Sequence, residues 1–320
     1  MFISHLSLKN FRNYTTLELD LPNSLVVLHG ENAQGKTNLL EAVYFLATTK
    51  SPKATADREL VNWNAAEDII PFARLWAQVQ RGRDTLKVEI TLQCERAISE
   101  RSPDSRERSQ SPSPTQQIPI YIQKQIRING LVRRPTTLIG QLNIVMFGSQ
   151  DIEMVAGPPS LRRRHLDGIN SQIDHHYLRS LLRYNRVVSQ RNHLLRLIQE
   201  GRGEKEELAF WNEELIKSGA YLVLQRHKMV MELRELAQVV HYNITGNRER
   251  LDLEYYTNAA ESHESKDTLE AVKEEFRRAL DARRNRDIAQ GMSTVGPHRD
   301  DLKLLVNDID MSTFSSRGQQ

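Results

Sequence analysis

The chain has 320 residues, of which 27% are charged, 39% hydrophobic and 6% aromatic, and its formal net charge is +3. That is the mixture of a globular chain long enough for two domains; it excludes collagen-like, wholly disordered and membrane-embedded classes, and so small a charge names no partner. No apolar run approaches the roughly 20 residues that cross a bilayer. Met1 to Asn10 alternates rather than forming the apolar centre of a secretion signal, and the single cysteine, Cys94, excludes an internal disulfide framework. A cytoplasmic, reducing location is the expectation.

Taken in chain order, Ile3, Leu6 and Leu8, and then Thr16 to Leu21, have the near-two period of half-buried strands. Pro22-Asn23-Ser24 is a turn. Leu25-Val26-Val27-Leu28 is a continuous apolar run, which predicts a short strand buried on both faces. After a Gly-rich stretch, Asn38 to Thr49 spaces Leu39, Leu40, Val43 and Leu46 as a helix does. Phe72 to Gln80 and Thr85 to Cys94 read as strands. Residues 95–119 are rich in Ser and Pro and read as a disordered surface loop. Tyr121 to Ile128 is a strand that reaches a hairpin pair at Asn129-Gly130, and Leu142 to Phe147 is a further strand. From there helices dominate: Ser160 to Ser171, His175 to Glu200, Glu204 to Asn243 and Leu269 to Gln290. Gly201-Arg202-Gly203 joins the second and third as an antiparallel pair. Leu251 to Tyr256, Asp301 to Val306 and Ile309 to Met311 read as strands.

Gly30-Glu31-Asn32-Ala33-Gln34-Gly35-Lys36-Thr37 fits the phosphate-loop pattern at every fixed position. Gly30 and Gly35 allow backbone angles and close approach that a side chain would block. The loop turns its N–H groups inward at the positive end of the following helix, a ready anion site. Lys36 then reaches the β- and γ-phosphates, and the Thr37 hydroxyl serves Mg²⁺. The bland alternative is a Gly-rich turn with an exposed lysine. A strand before the loop and a helix after it weigh against that alternative, so ATP or GTP binding is the strongest inference from these residues.

Four further strings resemble one family. Asn10-Phe11-Arg12-Asn13-Tyr14 lies some twenty residues before the phosphate loop, as in SMC-like ATPases. Gly157-Pro158-Pro159-Ser160-Leu161-Arg162-Arg163-Arg164-His165-Leu166-Asp167 and Val295-Gly296-Pro297-His298-Arg299-Asp300-Asp301 are similar to two segments of RecF proteins. Phe314-Ser315-Ser316-Arg317-Gly318-Gln319-Gln320 resembles an ABC-type signature loop. The chain is identified on these strings as resembling the RecF family, apart from residues 95–119.

The resemblance implies an α/β fold: an ABC-ATPase-like P-loop head with a second, mainly helical lobe. Residues 1–157 would form the N-terminal part of the head, 158–291 the helical lobe or arm, and 292–320 the return to the head. It implies that Arg12 faces the nucleotide phosphates and that Gln150 is the Q-loop glutamine meeting Mg²⁺ and water. Ser316, Gly318 and Gln319 would touch ATP bound to a second subunit, giving an ATP-dependent homodimer. It implies DNA bound through its backbone, and repair partners of the RecR and RecO type. The string carrying the acidic pair of Walker B is not found in the sequence, so the expectation is of a shortened family member that binds nucleotide poorly and hydrolyses little.

Charge is uneven. Residues 121–200 hold 12 Lys plus Arg against 5 Asp plus Glu, a net of +7. Arg127, Arg133, Arg134, Arg162, Arg163, Arg164, Arg179, Arg183, Arg186, Arg191 and Arg196 supply most of it. Such a block suits DNA phosphates through counterion release, and no base-reading element accompanies it. The alternatives are a solvated helical face or arginines paired with distant acids. His165, His175 and His176 near Asp167 and Asp174 match no metal-ligand spacing. Cys94 reads as a small buried hydrophobe, and Tyr177, Tyr184 and Trp211 as core. A P-loop phosphotransferase is the competing class, but it would want an acceptor site and an Arg-rich lid near the loop.

Overall fold

The computed structural model describes residues 1–67, 71–96, 120–260 and 268–314. The chain divides into two compact units, Met1–Met146 and Phe147–Gln320. Ser316, Gly318 and Gln319 lie outside the described residues, as does most of the Ser/Pro-rich segment.

The first unit is built on a six-stranded antiparallel sheet in the order β2-β1-β3-β4-β5-β6. Its strands are β1 (Phe2–Phe11), β2 (Tyr14–Asp20), β3 (Phe72–Arg81), β4 (Asp84–Arg96), β5 (Ile120–Ile128) and β6 (Leu131–Arg133). Alternation along each strand decides which face is covered. Leu6 and Leu8 pair with Ala77 and Leu75, and Leu75 pairs in turn with Ile90, so one face is apolar across the sheet. Helix α1 (Lys36–Thr48) buries Leu39, Ala42, Phe45 and Leu46 in that same core. Removing a Leu or Phe from water in this way stabilises by about 2 kcal/mol each. Asn129 and Gly130 both have positive φ (50° and 80°), the primed-turn geometry that the right-handed twist of a two-residue hairpin demands. β4 runs two residues into the expected loop: Glu95 and Arg96 pair with Tyr121 and Ile120. Residues 97–119 fall outside the described residues.

Two strands expected from the sequence are not formed. Leu25 and Val27 are 90% and 74% exposed, and Val145 and Phe147 are 88% and 85% exposed. Neither 25–28 nor 142–147 adopts strand structure, so Gln150 does not end a strand. A strand exists only against a partner, and among the described residues none pairs with either run. The apolar pattern of Leu25–Leu28 suited a strand buried on two faces, but composition does not supply the neighbours that would cover it.

On the opposite, polar face of the sheet, His5 is pinned at both ring nitrogens, 2.7 Å from Asp20 Oδ1 and 2.8 Å from Glu18 Oε2, and stacks on Trp76. The Asp20 hydrogen bond, followed by that of Glu18, raises the His5 pKa against the opposing effect of desolvation. A raised folded pKa means that the stabilisation is fully present below the unfolded value of about 6.5 and fades as pH rises through the folded one. The stability advantage of wild type over His5→Gln is therefore expected to be largest near pH 5.5 and to shrink towards about pH 8.5. Thermal unfolding of both proteins across that range checks it; an advantage that grows with pH would contradict it.

Apart from one short helix of the first unit, the remaining α-helices and a second sheet belong to the second unit. (Helix α2 is Pro135–Leu138, in the first unit.) These are α3 (Glu153–Ala156), α4 (Pro159–Ile173), α5 (His175–Gln199), α6 (Leu208–Ile244), α7 (Leu269–Gln290), α8 (Met311–Phe314), and a sheet in the order β7-β8-β9. Its strands are β7 (Leu251–Tyr256), β8 (Asp301–Val306) and β9 (Ile309–Asp310). α5 ends in a left-handed Gly201, with Arg202 N–H bonded to Leu197 C=O and Gly201 N–H to Ile198 C=O. This Schellman closure reverses the chain into α6. Gly219 of α6 is required by packing, since a Cβ there would stand 2.7 Å from both Phe276 of α7 and Tyr184 of α5. Tyr177 and Tyr184 are buried, as expected. β8 pairs along its full length with β7, so residues 301–306 join the sheet of this unit.

Candidate functional site

The phosphate-loop string leads directly into α1. Gly35 is its N-cap, left-handed at φ 96°, and no side chain caps the helix there. The first turn carries no acidic residue. The N–H groups of a helix start have no intrahelical acceptors, and the helix dipole adds positive potential at the same place. Leaving that end without a side-chain cap or a carboxylate suits it to an external anion. Gly30 (φ 142°) and Ala33 (φ 65°) give the loop its turns. Glu31, Asn32 and Gln34 are exposed along it, and Thr37 exposes its side of the first helical turn. Lys36 Nζ donates to the carbonyls of Gly30 (2.7 Å) and Glu31 (2.6 Å), which folds the cation back over the loop. The residues present therefore fit a polyphosphate: an uncapped helix start, one cation folded over the loop, and an adjacent hydroxyl able to serve a divalent ion.

The β1–β2 turn closes against this loop. The Tyr14 hydroxyl donates to the Gly35 carbonyl at 3.1 Å, and Asn38 Nδ2 donates to Asn13 Oδ1 at 2.8 Å. A Cβ on Gly35 would lie 2.6 Å from Asn13 Nδ2, so residue 35 must be glycine for space as well as for φ. Burial raises the Tyr14 pKa, which keeps the hydroxyl protonated as a donor at neutral pH. Asn13 and Tyr14 belong to the string that resembles SMC-like ATPases, but of that string only Arg12 is given a site role by the resemblance, and Asn38 reads only as the start of a helix. The available signal was position alone, next to Arg12 and directly after Thr37.

Arg12 is placed differently from expectation. Its φ is 53°, and its Nε and one NH2 proton donate to the two Glu41 oxygens at 2.9 and 2.7 Å. A third donor goes to the Glu59 carbonyl at 2.9 Å. Glu41 is buried on α1 and also accepts from the Ser51 hydroxyl at 2.5 Å. A bidentate guanidinium–carboxylate pair is among the stronger polar contacts, so in this structure Arg12 ties the β1–β2 turn to α1 rather than facing the loop. Gln150 belongs to a one-turn helix at Ser149–Ile152, at the start of the second unit.

In the second unit the arginine block separates into two populations. Arg162 pairs with Asp301 through Nε (2.7 Å) and NH2 (2.9 Å), and Arg191 is fully buried against Asp287 and Ser293. Arg163 donates to the Asp300 carbonyl at 2.6 Å, and Arg183 pairs with Glu214. These four have partners within the chain, Arg183 on the surface and the others at least half-buried. Arg164, Arg179, Arg186 and Arg196 are exposed, the last three on α5, and Arg133 and Arg134 are exposed in the first unit.

The Gly296–Asp301 string is also an interior feature. Asp300 is fully buried and is met by Arg226 NH1 at 3.1 Å and by the Tyr255 hydroxyl. Arg226 also donates to Asp167 (2.8 Å) and to the Pro297 carbonyl (2.7 Å). Burial pushes the Asp300 carboxyl up, with Arg226 opposing. His298 lies between Tyr184 Oη and the Ser293 carbonyl, and burial lowers its pKa to about 4. The string thus ties α4, α6, β7 and β8 together.

Comparison with known proteins gives a consistent set. Residues 1–129 match the model of the AAA ATPase domain family. The chain is 40% identical over 326 aligned positions to the DNA replication and repair protein RecF of Roseiflexus castenholzii, covering all of this chain and 79% of that protein. Two solved structures of the recombination mediator protein RecF in the RecFOR pathway are similar to it. The ATPrS complex has a TM-score of 0.81 at 26% identity, covering 99% of this chain and 77% of that one. The ATP complex has a TM-score of 0.79 at 28% identity, covering 99% and 76%.

Proposed function

The chain belongs to the RecF family, and on that premise we propose that it is an ATP-binding protein of DNA replication and repair. The observation that carries the reading is the Gly30–Thr37 loop running into an α1 start that has neither a side-chain cap nor an acidic residue. On binding, the loop N–H groups hold the phosphates, Lys36 leaves the Gly30 and Glu31 carbonyls for the β- and γ-phosphates, and the Thr37 hydroxyl would hold Mg²⁺. Mg²⁺ screens the phosphate charge that the single lysine leaves unbalanced. Ser316, Gly318 and Gln319 of a second copy would complete the site, so that ATP closes a homodimer.

DNA would be held by its phosphates along α5, where Arg179, Arg186 and Arg196 are exposed and have no carboxylate partner among the described residues. Among the described residues no base-reading element is evident, so contact is with the backbone and falls with salt. Repair proteins of the RecR and RecO type are the partner class this reading implies.

One experiment tests the assembly and the DNA surface together. Light scattering is expected to show a doubling of mass on adding ATP, abolished in Ser316→Arg while nucleotide still binds. Arg179→Glu with Arg186→Glu is expected to leave that doubling intact and to weaken duplex binding at least about tenfold, with a shallower salt dependence. A mass that ignores ATP would favour the phosphotransferase class instead.

A further inference from the structure

Asn13 is exposed at the tip of the β1–β2 turn, directly over the phosphate loop. Its carboxamide has one oxygen that accepts and one nitrogen that donates. The oxygen is engaged by Asn38 Nδ2 at 2.8 Å, and this bond decides which way the amide faces. The amide lies edge-on against Gly35, its nitrogen 2.6 Å and its oxygen 2.8 Å from where a Cβ would stand, and of the two the nitrogen is the one left without an engaged partner. Among the described residues Asn13 Nδ2 donates to no protein acceptor. Gly35 is held from its carbonyl side by the Tyr14 hydroxyl. Gly35 is the N-cap of α1 and Asn38 lies in its first turn, so Asn13 touches both ends of the segment whose N–H groups an anion would occupy. A half-engaged amide facing an anion site supplies one more donor to that anion.

We propose that Asn13 is a nucleotide-binding residue, its side-chain N–H donating to the α- or β-phosphate, with Asn38 fixing the amide orientation. This rests on the reading of the loop as an ATP site. The backbone of such loops cradles the α- and β-phosphates, while the lysine serves the β- and γ-phosphates. Both phosphates that Asn13 can reach are present in ADP as well as ATP. Its loss therefore lowers the two affinities by the same factor.

The test is calorimetric titration of the full chain with ADP and with ATP, for wild type, Asn13→Ala and Asn13→Asp. N13D is near-isosteric and still accepts from Asn38, but it presents an anionic oxygen where the donor was. Asn13→Ala is expected to weaken both nucleotides about tenfold, and N13D more than that, with the unfolding midpoint of nucleotide-free N13D unchanged. N13D binding both nucleotides like wild type would overturn the proposal. So would a loss confined to ATP, which would move the contact to the γ-phosphate, or a loss matched by a lower unfolding midpoint, which would make the turn a prop only. Wild type that binds neither nucleotide would overturn the ATP reading itself, and this inference with it.

Discussion

Replacing Arg226 by Met is expected to destabilise the helical unit by about 3–5 kcal/mol. Arg226 is 2% exposed and is the cation shared by Asp167 and the fully buried Asp300. A methionine fills much of the same volume, so the cost arises mainly from electrostatics rather than from a cavity. Two carboxylates are left with less compensation, and the Pro297 carbonyl loses its donor. Asp300 can respond by taking up a proton, a tendency its burial already favours. A second change, Asp300→Asn, removes one of the uncompensated charges and is expected to restore part of the loss. Hydrogen exchange of α6 amides reads this unit without the other. Protection that falls by less than about 1 kcal/mol in Arg226→Met would show that the network is not what fastens the helices to β7 and β8.

Lys36→Ala is expected to cost about 100-fold in ATP affinity, with a smaller loss for ADP. The ammonium is the only cationic side chain within the Gly30–Thr37 string. In the structure it bonds to two loop carbonyls, and these bonds are replaced by bonds to phosphate when nucleotide enters. Exchanging a neutral acceptor for an anionic one strengthens each bond, and only ATP offers the γ-phosphate. Titration of the variant with both nucleotides checks this. Equal losses for ADP and ATP would place the lysine away from the γ-phosphate, and an unchanged affinity would remove it from the site.

The parts of the fold that were legible in the sequence are those decided locally. The hairpin at Asn129-Gly130, the Gly201 reversal between α5 and α6 and the extent of α7 follow from turn chemistry and from a 3.6-residue period. The phosphate loop was legible for the same reason: its chemistry is carried by eight consecutive residues. What pairing decides was not legible. Leu25–Leu28 has the composition of a buried strand yet is exposed, since no partner strand pairs with it among the described residues. Charge counting failed in a similar way. Arg162 and Arg191 contribute to a basic stretch, but their acids, Asp301 and Asp287, lie 139 and 96 residues further on. Arg12 was expected at the phosphates and is found on Glu41, because a carboxylate in the middle of an otherwise apolar helix face leaves no sign in the sequence of which cation it takes. Asp300 and Asp301, which follow no strand, turn out to be the counter-charges of Arg226 and Arg162.

The central claim is that the start of α1 receives the phosphates of ATP. Amide hydrogen exchange of the full chain with and without ATP and Mg²⁺ tests it where it is made. Slowed exchange at Gly30 through Asn38 and in the adjoining β1–β2 turn is the predicted result. Protection elsewhere with these amides unchanged, or no protection at saturating ATP, would contradict the account.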